Sequence, residues 1–199
     1  MAVMTLLPAG TGIGIGDWGA SSGTFHAALQ TNDGDTSYGS SANGGSTIYI
    51  DEFQTPSDVG VASGDVASVT SVEISTYGRY PARGSGGTDV DFKYKVGSDV
   101  SSAQTLNYPN SATHQSRTTS AVTTQPNGGV WTYCSLGNID VQLIKIGAAS
   151  PAVRITYLAL VVSYVTAGWS QEKINGISVS NVQKINGIDI GNIEKVNGV

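Results

Sequence analysis

Short runs of alternating apolar and polar residues, broken by glycine and proline, constrain this chain more than any other feature. Strict alternation is the period of a half-buried β-strand. Asp89-Val90-Asp91-Phe92-Lys93-Tyr94-Lys95-Val96 shows it cleanly, with charge on one face and apolar groups on the other. Ser46 to Phe53, Ile139 to Ile146 and Val153 to Val165 read the same way, and the last, being the most apolar, belongs mid-sheet. Val66 to Tyr77 predicts a long strand with a bulge where the parity of Val66, Val69, Val72 and Ile74 slips. Gln115 to Thr124 is polar and β-branched, as an edge strand would be. Thr24 to Leu29 is a further strand candidate, and Trp131 to Leu136 a short helical turn.

Turn sequences such as Asp33-Gly34-Asp35, Asn43-Gly44-Gly45 and Pro126-Asn127-Gly128-Gly129 separate these runs. About eight strands at that spacing, with no strand–helix alternation, predict an all-β fold: an antiparallel, jelly-roll-like β-sandwich. The expected division is an N-terminal arm over 1–14, the sandwich over 15–167, and a C-terminal tail over 168–199.

The tail is a repeat. Lys173-Ile174-Asn175-Gly176-Ile177 recurs as Lys184-Ile185-Asn186-Gly187-Ile188 and again as Lys195-Val196-Asn197-Gly198-Val199, a period of 11 residues. Asn-Gly is the strongest short-range turn signal and would break a helix in every unit. Each unit carries about four aliphatic side chains and is too small to bury them alone. The aliphatic positions Ile174, Ile177, Val179, Val182, Ile185, Ile188, Ile190, Ile193, Val196 and Val199 are therefore the candidate assembly surface. A flexible linker would not repeat Ile and Val so regularly.

Composition narrows the function. Ten basic residues face 15 acidic ones, for a net charge of -5, which argues against a nucleic-acid partner. The longest apolar stretch, Ala152 to Val165, carries Arg154 and is too short for a membrane helix, so no membrane partner is expected. The N-terminus lacks the features of a secretory signal, which points to synthesis in a reducing cytoplasm. The single cysteine, Cys134, has no adjacent basic residue and reads as a small buried hydrophobe.

Several short motifs match catalytic or binding patterns formally. Gly14-Ile15-Gly16-Asp17-Trp18-Gly19 fits the dinucleotide fingerprint but opens onto a Ser/Gly-rich stretch in place of a helix. Gly19-Ala20-Ser21-Ser22-Gly23 fits a nucleophile elbow without the surrounding α/β pattern, so Ser21 reads as a surface-loop residue. His26, His114 and Cys134 lack metal-ligand spacing. Asn32-Asp33-Gly34-Asp35 resembles the start of a calcium loop, but Asn43 stands where the closing Glu belongs, which favours an Asx-type turn before Tyr38. Asp89 and Asp91 share a strand face that also carries Lys93 and Lys95, the pattern of a solvated charged surface. Trp18, Trp131 and Trp169 could stack on a sugar but read as core anchors. No catalytic group, cofactor or metal is expected.

Taken together, Trp18, the run Asn32 to Tyr38, the Gly-rich middle, Gly129-Val130-Trp131-Thr132, Val141-Gln142-Leu143, Ile146-Gly147, Arg154 to Tyr164 and the Lys-Ile-Asn-Gly-Ile tail resemble small structural proteins of tailed-bacteriophage virions. That resemblance implies a non-enzymatic β-sandwich that decorates the capsid, or belongs to the neck or tail, usually as an oligomer. The leading expectation is a head decoration or cement protein, a homotrimer that binds and stabilises the major capsid protein shell. The alternative is a tail-fibre or neck module that recognises host surface carbohydrate. The location implied is the virion, with synthesis in the host cytoplasm.

Overall fold

The computed structural model describes residues 1–10, 14–15, 18–41, 44–81, 87–147, 152–167, 173–174, 177–178, 184–185 and 188–189. Twelve strands build two sheets: β1 Ala2–Leu6, β2 Gly14–Ile15, β3 Trp18–Ala20, β4 Gly39–Ser41, β5 Thr47–Ile50, β6 Val66–Arg79, β7 Gly87–Val96, β8 Asp99–Val100, β9 Gln104–Pro109, β10 Gln115–Thr118, β11 Ile139–Ile146 and β12 Val153–Thr166. The first sheet runs β10-β6-β12-β4-β3, with β1 also on β12; the second runs β2-β5-β11-β7-β8, with β9 also on β7. Every strand pair in both is antiparallel. The fold is an all-β sandwich of two antiparallel sheets.

Inward-facing residues of both sheets make one core. Ile74, Ile155, Leu158, Leu160 and Val162 come from the first sheet; Val90, Phe92, Tyr94, Val141 and Leu143 come from the second; all are fully buried. Burying each such side chain is worth roughly 1.5–3 kcal/mol, so the alternation selects which face turns inward. The most apolar strand, β12, is central as expected. It pairs with β6 along one side, and with β4, Gln30 and β1 in succession along the other.

The expected bulge in β6 is present: Ser71 opposes Ser163 while Val69 opposes Tyr164, so Thr70 is the extra residue. It lets Val69 and Val72 face the core despite their odd spacing. β12 has its own irregularity at Thr156, between the Ile155–Gly78 and Tyr157–Tyr77 pairs. There the inward set changes from Val153 and Ile155 to Leu158, Leu160 and Val162.

β10 lies at a sheet edge, and the following residues extend it through Thr119 N–H to Ile74 C=O and the Val122–Val72 bridge. The helical turn expected near Trp131 is α1, Tyr133–Leu136, capped by the Thr132 hydroxyl. Hydroxyls tie the sheets together across the core. Tyr108 of β9 meets Thr76 of β6 at 2.6 Å, and Tyr94 of β7 donates to the Val72 carbonyl of β6 at 3.3 Å.

Four expectations change. Residues 1–14 are more than an arm: Met4 and Leu6 are buried, and β1 is a strand of the first sheet. Residues 24–29 form no strand, because turn hydrogen bonds close a 3-10 helix over Ala27–Leu29 that buries Ala28 and Leu29 on one side. Cys134 is exposed, since α1 turns Leu136 inward and leaves Cys134 outward. The strand count exceeds eight because short strands such as β3 and β4 carry too few residues to show a period.

Candidate functional site

Two units of the repeat pair as the Asn-Gly spacing predicts. β13 Lys173–Ile174 pairs antiparallel with β14 Ile177–Ser178, and β15 Lys184–Ile185 pairs with β16 Ile188–Asp189. Ile174 lies opposite Ile177, and Ile185 opposite Ile188, in one register 11 residues apart. Each register leaves two residues between the arms, Asn175-Gly176 and Asn186-Gly187, the composition that two-residue hairpins select. An isolated hairpin of this length is unstable in water without something to cover it. The other candidate positions, Val179, Val182, Ile190, Ile193, Val196 and Val199, lie outside the described residues, as does Trp169.

A charged cluster sits on the outer face of the first sheet. A loop closed by Asp33 places it: the Asp33 carboxylate accepts from the Ser37 amide at 3.1 Å and from the Ser37 hydroxyl at 2.7 Å, four residues on and not the two of the expected Asx turn. The loop presents Asp35 to Arg79 of β6, to Arg154 of β12 at 3.1 Å, and to His114 Nε2 at 3.6 Å. Arg79 also donates to the Ala112 carbonyl, Arg154 lies 4.7 Å over the Tyr38 ring, and His114 stacks on Tyr77. Burial would raise the Asp35 pKa, but hydrogen bonds and charge from Arg154 and Arg79 outweigh it and hold it below the usual carboxylate value. Burial lowers the His114 pKa; Asp35 partly opposes that, while Arg79 and Arg154 add to it. The cluster clamps two loops onto two strands. Asp33, Asp35, Tyr38, His114 and Arg154 among its members stood out in the sequence, each for another reason, and Arg79 did not. Partners separated by 44 and 119 positions leave no local signal.

An open cleft of about 560 Å³ lies at one end of the second sheet, lined by Asp51, Glu52, Lys95 and Asp140 among others. Lys95 reaches Asp140 at 2.6 Å, and that hydrogen bond raises the lysine's pKa. Glu52 has a φ of 63°, left-handed and uncommon for a residue with a Cβ. The docking of the N-terminal segment holds it there: its carbonyl accepts from the Ala9 and Gly10 amides, and a Cβ on Gly10 would fall 2.6 Å from Glu52 Cβ.

The formal motifs resolve into structure. Gly14–Ile15 and Trp18–Ala20 are strands of different sheets. Ser21 Oγ accepts from the Tyr38 amide at 2.9 Å. Asp89 and Asp91 accept from Asn107 and Thr105, both on the neighbouring β9. Trp18 and Trp131 are buried, and each donates its indole N–H to a backbone carbonyl, as core anchors do. Among the described residues no group of three or more His, Cys, Asp or Glu side chains converges as metal ligands.

No protein-family model matches the chain, and no curated protein matches it. Solved structures do. The CBM22-1 xylan-binding domain from Paenibacillus barcinonensis Xyn10C is 14% identical, with 81% of this chain and 94% of that one covered and a TM-score of 0.44. A glycoside hydrolase family 43 arabinoxylan arabinofuranohydrolase from Bacillus subtilis, solved with cellotetraose, is 13% identical over 68% of this chain, with a TM-score of 0.38. The match spans a quarter of that enzyme's chain (25%). Likeness at this level concerns shape alone.

Proposed function

We propose that this protein is a non-enzymatic structural component of a phage virion: a head decoration or cement protein that assembles as a homotrimer on the capsid and stabilises it. The observation that carries the reading is the tail, where the same hairpin register recurs after 11 residues and each unit is too small to stand alone. The sandwich supplies a rigid body, and the tail supplies the contacts. The resemblance to virion proteins, carried by the residues quoted above, supplies the setting. A protein that binds the assembled shell and not its free subunits stabilises the shell by mass action. The test is co-sedimentation with heads of the encoding phage that lack the protein. The full chain should pellet with the heads and raise their rupture temperature, while a chain ending at Ala167 should stay in the supernatant. Equal pelleting by both would contradict the reading.

A second reading, a tail-fibre or neck module that recognises host surface carbohydrate, draws on the outer face of the first sheet. There the partly exposed rings of Tyr38 and Tyr77 lie beside Asp35, Arg79 and Arg154, a combination of stacking surface and hydrogen-bonding groups that suits sugars. A glycan array separates the two readings: the cement reading predicts no glycan binding, and the second predicts binding that Tyr77→Ala abolishes.

A further inference from the structure

A short loop from Asn110 to His114, between β9 and β10, lies against the outer face of the first sheet. Asn110 bridges to Tyr80, and the Ser111 amide donates to the Tyr80 carbonyl at 3.2 Å. Arg79 Nη1 donates to the Ala112 carbonyl at 2.8 Å, and the His114 ring stacks on Tyr77 with 5.6 Å between centroids. Ala112 and Thr113 are exposed, while the His114 side chain is 6% accessible. Its Nε2 is buried without a hydrogen-bond partner and lies 3.6 Å from Asp35 Oδ1, outside hydrogen-bonding reach.

The charged and titratable groups that face this ring are Asp33 and Asp35 from the loop before β4, Tyr77 and Arg79 from β6, and Arg154 from β12. The two carboxylates are already engaged. Asp35 accepts from Arg79 at both oxygens and from Arg154 at Oδ1, and Asp33 accepts from Ser37. A neutral imidazole suits that setting, since stacking on Tyr77 needs no charge. An imidazolium would be a third cation around one carboxylate, and it would be shut off from water. Burial is the largest influence on the ring and disfavours its charged form; Asp35 opposes this, and Arg79 and Arg154 add to it. The sheet cannot yield to relieve the charge, because Tyr77, Arg79 and Arg154 stand on the two 14-residue strands that pair with each other. The loop can yield, since so few contacts tie it down. We propose that His114 works as a proton-operated latch. With the ring neutral the Asn110–His114 loop lies closed on Tyr77; with the ring charged the loop lifts, which returns the imidazolium to water and uncovers that face of Tyr77. The latch is independent of the assembly reading above.

Hydrogen exchange of the Ser111 amide, followed by NMR in the full chain, tests this. Once lifted into water the imidazole regains its ordinary pKa of about 6.5, so it is about nine-tenths charged at pH 5.5. Ser111 exchange, corrected for its intrinsic pH dependence, should therefore speed up about three- to tenfold between pH 7.5 and pH 5.5. Lifting the loop exposes little surface, so this exchange should ignore low urea, whereas exchange of amides in the β6–β12 pairing should rise with it. His114→Gln should abolish the pH response. The wild-type protein alone can refute the latch, by Ser111 exchange that stays flat with pH, that slows toward acid because the imidazolium tightens onto Asp35, or that rises with urea in step with the core. A pH response that survives His114→Gln also overturns it.

Discussion

At the scale of single residues, the Asp35 cluster makes the sharpest claims. His114 is nearly buried, with a side chain 6% accessible, and it loses more by carrying charge than a solvated histidine does. Its folded pKa is lowered from 6.5, so the unfolded chain takes up this proton first. Stability then falls as pH drops through about 6.5 and levels off below the folded pKa. The melting temperature should decline between about pH 7.5 and pH 5.5, and His114→Gln should flatten that decline. Asp35, with its pKa held below 3.8, acts in a separate and more acid window. Asp35→Asn leaves Arg79 and Arg154 beside one another without their shared anion. A loss of about 1–2 kcal/mol in urea unfolding is expected, modest because the carboxylate is partly exposed. The sequence shows Asp33 as a turn residue for sound local reasons, but the roles of Asp35 and His114 come from strands far away in the chain.

At the scale of elements, the two sheets are held in register by packing and by hydroxyls that cross the core. Tyr108→Phe removes one of them, leaving Thr76 Oγ1 its contact with the Arg117 carbonyl; a cost of about 1 kcal/mol is expected by chemical denaturation. Gly78→Ala should cost more, about 1–3 kcal/mol, because the new methyl would sit 2.7 Å from the Arg154 carbonyl and 2.8 Å from the Tyr108 ring. The strands that alternate over eight residues or more, β6, β7, β11 and β12, are legible in the sequence, as is the bulge at Thr70. β9 is not, although Leu106 and Tyr108 point inward between Thr105 and Asn107, because its period lasts only a few residues before Pro109. Thr24 to Leu29 misleads because Phe25, Ala28 and Leu29 fit a tight helical turn as well as a strand. Pairing order is a property of the whole sheet, and no local pattern encodes it.

At the scale of the whole molecule, the sandwich is a body with its own core, drawn from Met4 to Tyr164. The body's charges are largely spent on internal partners, as at Asp35, Asp89, Asp91 and Asp140. The tail's repeat was visible as sequence, and two of its hairpins appear as expected. The place of β1 in the first sheet was not visible, since the same residues read as a free arm until β12 claims Met4 and Leu6. The most direct measurement is native mass spectrometry of the full chain beside a chain ending at Ala167. The account predicts a trimer for the first and a folded monomer for the second; two monomers, or two identical oligomers, would contradict it.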